Sequence, residues 1–364
     1  MANKNLVSIL VNGKAYGGWE SVSITRSLEN ASASFQLSVT ERFPGQRQPL
    51  RIVPGDACQV RIDEDLVITG YVDQVNPSHD ASSHSISVSG RSKTADLIDC
   101  AVRPPWASIY NQTILQIADR LAQPFGVDIV DNLKGKTEPL SQFDMNPGDT
   151  VFSTIAKLAS LKACLVTDDE KGRLLLTRAG SAKASTPLRS GPGGNILSGS
   201  GTFEQSSRFR SYIVIGQGKG DDQNFGSAVS EILAEAQDLG VKRNRATVIR
   251  AEGTVDLQKA QDRARWEASA RVGKSATLTL NVQGWRQENG DLWKVNHLAY
   301  VKDDLLTVDG EFLISAVNYV LGASGTIATL TLSPKAAYEL IPEEPKTATK
   351  GIGVWEELRG GIQP

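Results

Sequence analysis

Two distant stretches of this chain carry the same succession of strand-like segments, and a chain that repeats itself folds into repeated structure. Ser32-Ala33-Ser34-Phe35-Gln36-Leu37-Ser38-Val39 matches Ser275-Ala276-Thr277-Leu278-Thr279-Leu280-Asn281-Val282. Gly55-Asp56 with Val60 matches Gly290-Asp291 with Val295 at the same internal spacing. Val67-Ile68-Thr69 matches Leu313-Ile314-Ser315, and Ser85–Val88 and Thr326–Leu332 alternate in the same order. Any two sets of amphipathic strands look alike to some degree. Four matched segments in one order are what point to a duplication.

Local patterning agrees. In the first hundred residues, Val7, Ile9 and Val11, then Val22 and Ile24, then Phe35, Leu37 and Val39 alternate with polar residues. That period of two buries one face of a strand. Asn12-Gly13, Pro44-Gly45, Pro54-Gly55 and Asn76-Pro77 supply turns between them. Near Asp99 the period changes. Ile114, Ile117, Ala118 and Leu121 fall at helical spacing, and Gln123-Pro124 ends the segment. A second helix is predicted after Asp149 as cap, with Val151, Ile155 and Leu158 on one face. Two strands follow, Ala163–Val166 and Arg173–Arg178, joined through Asp168, Asp169 and Gly172.

Ser181–Asn195, rich in Ser, Pro and Gly, reads as a linker, and strands resume at Tyr212–Ile215. Gln217–Arg245 reads as a polar loop with a short helix around Ile232. Thr254 can cap a helix that runs to about Val272, with Gly273 placed to end it. The expected class is α+β, mainly β: two similar antiparallel β-barrel domains with a small α/β domain between them. The expected boundaries are 1–98 for the first barrel, 99–185 for the α/β domain, and 186–340 for the second barrel, with a polar loop and one helix in 217–273. The strands around Tyr212 are expected to join those after Ser275, and 341–364 is a tail.

Several function classes lose support. With 39 basic and 41 acidic residues the net charge is −2, not the basic excess of a dedicated nucleic-acid binder. Cys58, Cys100 and Cys164 form no CxxC pair, so neither a zinc site nor a disulfide framework is expected. The chain opens without the apolar core of a signal peptide, and no apolar run reaches the roughly 20 residues that cross a bilayer. No membrane insertion is expected.

Reactive constellations are equally hard to find. His79 and His84, with Asp80 between them, read as exposed loop residues before they read as metal ligands, and His297 sits among strands. Gly216-Gln217-Gly218-Lys219-Gly220 lacks the GxGxxG spacing of a dinucleotide loop and reads as a turn. Asp168-Asp169-Glu170 and Asp303-Asp304 read as polar turns, and no HExxH, GxSxG or P-loop pattern occurs. Catalytic, metal and cofactor residues are therefore expected to be absent. Of the tryptophans, Trp19, Trp106, Trp266, Trp285 and Trp293 are expected in cores. Trp355, with Leu358, lies in a tail too polar to bury it alone, so these two are the candidate protein-interaction residues.

The sequence also resembles a known family. Gly18-Trp19-Glu20-Ser21-Val22-Ser23-Ile24-Thr25-Arg26-Ser27-Leu28-Glu29 looks like the opening of the baseplate hub proteins of Mu-like phages. Gly90-Arg91-Ser92-Lys93-Thr94-Ala95-Asp96-Leu97-Ile98-Asp99-Cys100, Gln261-Asp262-Arg263-Ala264, Gly284-Trp285 and Gly290-Asp291-Leu292-Trp293 extend the likeness, which covers about Leu6 to Leu340. Related modules occur in T-even phage hubs and at the start of type VI secretion spike proteins. The resemblance implies a structural homotrimer in the virion, assembled in the host cytoplasm. Its two barrels per subunit would form a pseudo-sixfold ring that joins the tail tube or other baseplate proteins to the central spike. DNA would pass through the channel unread. The alternatives are the hub of a cellular contractile injection system, a cell-wall hydrolase, or a carbohydrate-binding β protein of the tail.

Overall fold

The computed structural model describes residues 5–40, 52–80, 84–104, 109–133, 139–143, 145, 147–161, 164–217, 232–254, 257–339 and 362–363. The chain divides into two compact units. The first comprises Met1–Arg178, Asn281–Asn296 and Ser315–Leu330; the second comprises Ala179–Leu280, His297–Ile314 and Thr331–Pro364.

The first unit opens with seven strands: β1 (Val7–Val11), β2 (Lys14–Tyr16), β3 (Ser21–Ser27), β4 (Ser34–Thr40), β5 (Ala57–Ile62), β6 (Asp65–His79) and β7 (His84–Ser92). The alternation read from the sequence is what buries them. Val7, Ile9, Val11, Val22, Ile24, Phe35, Leu37, Val60 and Ile62 are all buried. Asn12 (φ 51°) and Gly13 (φ 75°) make the two-residue turn between β1 and β2. Both need positive φ, which Asn and Gly adopt at least cost. Gly90 of β7 faces Phe35 of β4, and a Cβ there would lie 2.2 Å from the Tyr71 carbonyl oxygen and 2.7 Å from the Phe35 ring. Only glycine lets the ring lie across the strand at that point.

The α/β part follows as α1 (Ala95–Asp99), β8 (Ile109–Gln112), α2 (Ile114–Ala122), β9 (Ile129–Asp131), β10 (Leu140–Phe143), α3 (Val151–Leu161), β11 (Leu165–Asp168) and β12 (Leu174–Thr177). The helical spacing at Ile114, Ile117, Ala118 and Leu121 becomes the buried face of α2. Thr113 starts that helix with a capping box: its hydroxyl accepts the Gln116 N–H at 3.3 Å and the Gln116 side chain accepts the Thr113 N–H at 2.9 Å. At α3 the capping oxygen belongs to Thr150, which accepts the Ser153 N–H at 3.1 Å. Asp149, expected in that role, pairs with Lys157 instead, at 2.7 Å. One core gathers α2, α3, β11 and β12 around Ile155, Leu158, Leu174 and Leu176.

The second unit holds β13 (Leu188–Arg189), β14 (Ile196–Phe203), β15 (Ser211–Gln217), β16 (Ile232–Asp238), β17 (Ala246–Thr254) and α4 (Leu257–Lys274). Four strands complete the chain: β18 (Ala276–Gln283), β19 (Leu298–Asp303), β20 (Val308–Gly322) and β21 (Gly325–Ser333), with the two-residue β22 (Ile362–Gln363). Several expectations change here. Ile232 begins a strand, not a helix. Ser181–Asn195 carries β13, which pairs in parallel with β19, so it is tied down and does not act as a free linker. The strands around Tyr212 do not join those after Ser275: β15 is flanked by β16 and β17 in a separate four-stranded sheet. The reason lies in α4, where Ala260, Ala264 and Ala268 recur every four residues and pack on Tyr212, Val214, Ala234 and Ala236. Small residues let helix and sheet approach closely, and that gives this sheet its own core. Gly273 does not end α4, which runs on to Lys274. A Cβ on Gly273 would lie 2.2 Å from the Ala337 nitrogen, so the glycine admits the turn Lys335–Ala337 against the helix.

The duplication shows in the hydrogen bonding. The large sheet has 13 strands, ordered β14–β18–β21–β20–β3–β4–β7–β6–β5–β1–β2, with β19 on β20 and β13 on β19. Within it β4–β7–β6–β5 and β18–β21–β20–β19 have the same order, and β6 and β20 are both 15 residues long. The register shifts two sequence matches: β5 begins with Ala57 facing Tyr71, while β19 begins with Leu298 facing Leu313, so Val60 of β5 stands where Val301 does and not Val295, which precedes β19. Tyr71, not Val67, therefore stands where Leu313 does. No closed barrel forms among the described residues. β3 hydrogen-bonds to the part of β20 beyond β19, and this pairing joins the two strand sets in one sheet.

Candidate assembly surface

The groups that could carry chemistry are engaged in holding the fold. Asp168 was expected in a polar turn, yet it ends β11 and is 3% exposed. Its carboxylate accepts the Ala33 N–H at 3.0 Å and a bond from the Arg26 guanidinium at 3.1 Å. Arg26 also donates to the carbonyls of Val67 (2.7 Å) and Asp168 (2.9 Å), so one side chain binds β3, β6 and β11 together. Burial pushes the Asp168 carboxyl above its ordinary range, against the opposing pull of Arg26 and the Ala33 N–H. Asp169 does hold the turn: it accepts the Lys171 and Arg173 N–H groups at 3.0 and 2.9 Å. Asp303 does the same for Leu305 and Leu306, at 3.0 and 3.1 Å.

Arg26→Ala should destabilise the first unit by about 3–5 kcal/mol, since it leaves a buried carboxylate unpaired. The loss should be larger at pH 7 than near pH 4.5. The folded state holds the Asp168 proton more tightly than the unfolded chain, so its contribution is complete below about pH 4 and shrinks as pH rises through the folded value. Removing Arg26 raises that value further. Denaturant melts at the two pH values test this, and an equal loss at both would rule out the electrostatic cause.

The histidines 79 and 84 face one another in the β6–β7 ladder. No group of three or more His, Cys, Asp or Glu side chains able to hold a metal ion occurs among the described residues. Of the glycine segment, 218–220 lies outside the described residues. Trp19, Trp285 and Trp293 are buried, and the half-buried Trp266 donates its indole N–H to the Glu339 carbonyl at 2.7 Å. Trp106, Trp355 and Leu358 lie outside the described residues. Among those residues, no helix is long and apolar enough to cross a membrane.

What the described surface offers instead is sheet edge. β14 is exposed along nearly its whole length, with Leu197 55% and Phe203 37% exposed. The second half of β6 is exposed as well, apart from half-buried Val75. Beside it, Arg91 of β7 bonds Asp73 of β6 at 2.7 Å and Asp99 of α1 at 2.7 and 3.2 Å, and its hydrogen bond holds the Asp99 carboxyl below its ordinary range. Serines and threonines on β3, β4 and β7 line the shallow polar depression next to it. Sequence reasoning missed β14 because Ile-Leu-Ser-Gly-Ser-Gly-Thr-Phe has no apolar alternation and two glycines.

A mainly antiparallel fold with duplicated strand sets and no assembled reactive cluster among its described residues matches known proteins along its length. Residues 6–92 match the N-terminal domain of the Mu phage baseplate assembly protein GpP-like family, 94–178 the second domain of the baseplate hub protein gp44-like family, and 256–341 the fourth domain of GpP. The baseplate hub protein gp44 of Escherichia phage Mu is 30% identical over 98% of this chain and 94% of that protein. The chain belongs to the Mu-like baseplate hub family. This hub chain also shares its fold with the 43 kDa tail protein of prophage MuSo2 from Shewanella oneidensis (35% identity, TM-score 0.81, covering 93% of this chain and 100% of that one). A fold-level likeness, at 12% identity and TM-score 0.55, extends over 92% of this chain and 80% of the E. coli c3393 protein, a type VI secretion component. The hub chain is thus a structural part of a phage tail baseplate.

Proposed function

We propose that this hub protein works as a closed homotrimeric ring in the baseplate, joining the tail tube above to the central spike below and leaving an axial channel for DNA. The observation that carries this is the duplicated strand set: β4–β7–β6–β5 and β18–β21–β20–β19 repeat one order within one chain. Three such chains present six similar modules, so a threefold spike can meet a sixfold tube. Cyclic closure is the common symmetry of homo-oligomers. The ring-forming strand sets would belong to 1–98 and 186–340, as two barrel-like modules, with 99–185 between them in sequence.

The function is geometric and non-enzymatic. Its work lies in subunit interfaces, and a near-neutral chain (net charge −2) suits a channel that lets DNA through without binding it specifically. The subunits assemble in the host cytoplasm and reside in the virion, without entering a membrane. Trp355 and Leu358 in the tail dock on the spike or a neighbouring subunit, and deleting residues after Pro345 should weaken that contact.

Light scattering of the full chain over a concentration series, alone and mixed with the spike protein of the same particle, tests the ring. The expected result is a mass near three times 39.1 kDa. A monomer under both conditions would overturn the ring.

A further inference from the structure

The small sheet of the second unit has one face covered by α4 and another that carries exposed apolar residues. Tyr212 and Val214 of β15 and Ala234 and Ala236 of β16 point at the helix and are buried. The residues between them point the other way. Ile213 stands between Glu235 of β16 and Val248 of β17, and Ile215 between Leu233 and Arg250. Leu233 and Val248 are 60% and 61% exposed, and Ile213 and Ile215 are half-buried. Four aliphatic side chains thus form one patch on the face away from α4, with Glu235 and Arg250 set among them. A contiguous apolar patch with charges at its margin marks a docking surface.

The chain itself supplies an occupant. Residues 340–361 set out from beside α4, where the Glu339 carbonyl accepts the Trp266 indole N–H, and return at β22, which lies beside the same helix. An 18-residue helix is about 27 Å long, whereas 22 residues of chain can span about 70 Å. The surplus carries Ile352, Val354, Trp355 and Leu358. On return, Ile362 pairs opposite Asp238 and Gln363 opposite Gln237, so the segment enters at the Asp238 end of β16. From Ile362, Leu233 lies one strand across and five residues along; Val248 lies three strands across and three residues along. At about 4.8 Å per strand and 3.3 Å per residue, each is about 17 Å away. Leu358 can reach about 13 Å from Ile362 and Trp355 about 23 Å, and Gly360 and Gly361 let the chain turn between them.

We propose that in the free subunit the Ile352–Leu358 segment lies across the outer face of its own β17–β15–β16 sheet, with its apolar side chains on Ile213, Ile215, Leu233 and Val248. The charges agree. Lys242 and Arg243 stand exposed in the turn after β16, at the end where the segment enters, and Glu356 and Glu357 lie within the segment. The contact belongs to the single subunit and does not depend on the ring. It has a consequence for assembly: Trp355 and Leu358 must leave this face before they can dock on the spike or a neighbouring subunit. Until then the segment and the patch shield each other from water.

Limited trypsin digestion of the full chain, followed by mass, tests this. Arg359–Gly360 is the reporter bond, at the end of the docked stretch, and Lys346–Thr347, ahead of it, is the control. Leu233→Thr combined with Val248→Thr removes the apolar contacts and keeps strand-forming residues at exposed positions. The double variant should be cut at Arg359–Gly360 about tenfold or more faster than the unaltered chain, and at Lys346–Thr347 equally fast. Trp355→Ser, which leaves the sheet untouched, should speed the reporter cut in the same way. Equal rates at Arg359–Gly360 in all three proteins would overturn the docking and leave the ring standing. Protection that appears only at concentrations where light scattering finds trimers would assign the patch to a neighbour's tail, and would overturn it as well. A chain that stays monomeric yet shows the protection would overturn the ring and leave the docking standing.

Discussion

Arg208→Ala should cost the second unit about 3–5 kcal/mol, the range for stranding one member of a buried ion pair. Arg208 and Asp238 are both 0% exposed and meet as a fork, Nε to Oδ2 at 2.8 Å and Nη2 to Oδ1 at 2.9 Å. The same carboxylate accepts the Gly240 N–H at 3.0 Å and so shapes the turn after β16. Without the guanidinium, a fully buried aspartate must either stay charged or take up a proton, and both are costly. For a unit of this size, each kcal/mol corresponds to about 2–4 °C. Calorimetry should show the second unit's transition roughly 6–20 °C lower. Arg208→Lys should recover only part of this, since an ammonium cannot make both bonds of the fork. A melt unchanged within about 2 °C would mean that the pair contributes nothing net.

Trp285→Ala should have a comparable effect on the first unit, about 3–5 kcal/mol, by emptying the space of one of its two fully buried tryptophans. Transfer and cavity effects are not the whole of it. The indole N–H is shared between the carbonyls of Val320 and Ile327, each at 3.1 Å, and the ring stands edge-on to Tyr319 with centroids 6.1 Å apart. Tyr319 in turn donates its hydroxyl to the Trp293 carbonyl. The alanine variant therefore leaves β20 and β21 with carbonyls that have lost their donor as well as a void. Trp285→Phe should fall between the two, filling most of the space without the N–H. Chemical denaturation checks the order, and a phenylalanine variant as unstable as alanine would show that the hydrogen bonds matter more than the volume.

How far these features could be read in advance follows from the range over which each is determined. Strand patterning is local: Val7, Ile9 and Val11 show their buried face within five residues, as do Ile114 and Ile117 on α2. The duplication was legible because the same local pattern recurs in order. Pairing between strands is not local. That β15 belongs with α4 and not with β18 depends on Ala260, Ala264 and Ala268 meeting Tyr212, a contact no window contains. Nor does the sequence around Asp168 show that its partner is Arg26, 142 residues away. A run of two aspartates and a glutamate in a hairpin reads as a polar turn, and only the fold reveals that both aspartates are buried. β14 stayed hidden because an edge strand exposed on both faces needs no apolar alternation. The family likeness was visible in motifs such as Gly90–Cys100, which spans the end of β7, a turn and α1 and holds the fold without reactive groups.

The pairing of β3 with β20 also sets a clock for biosynthesis. Ser23 and its partner Asn318 stand 295 residues apart. At about 5–20 residues per second, roughly 15–60 s pass between the emergence of the two strands. Throughout that interval β3 is a finished strand whose final neighbour does not yet exist. On a crowded message, the β20 of a chain ahead of it could arrive first. Off-pathway dimers that exchange this strand are the expected by-product of fast, concentrated expression, and slowing synthesis at low temperature should reduce them.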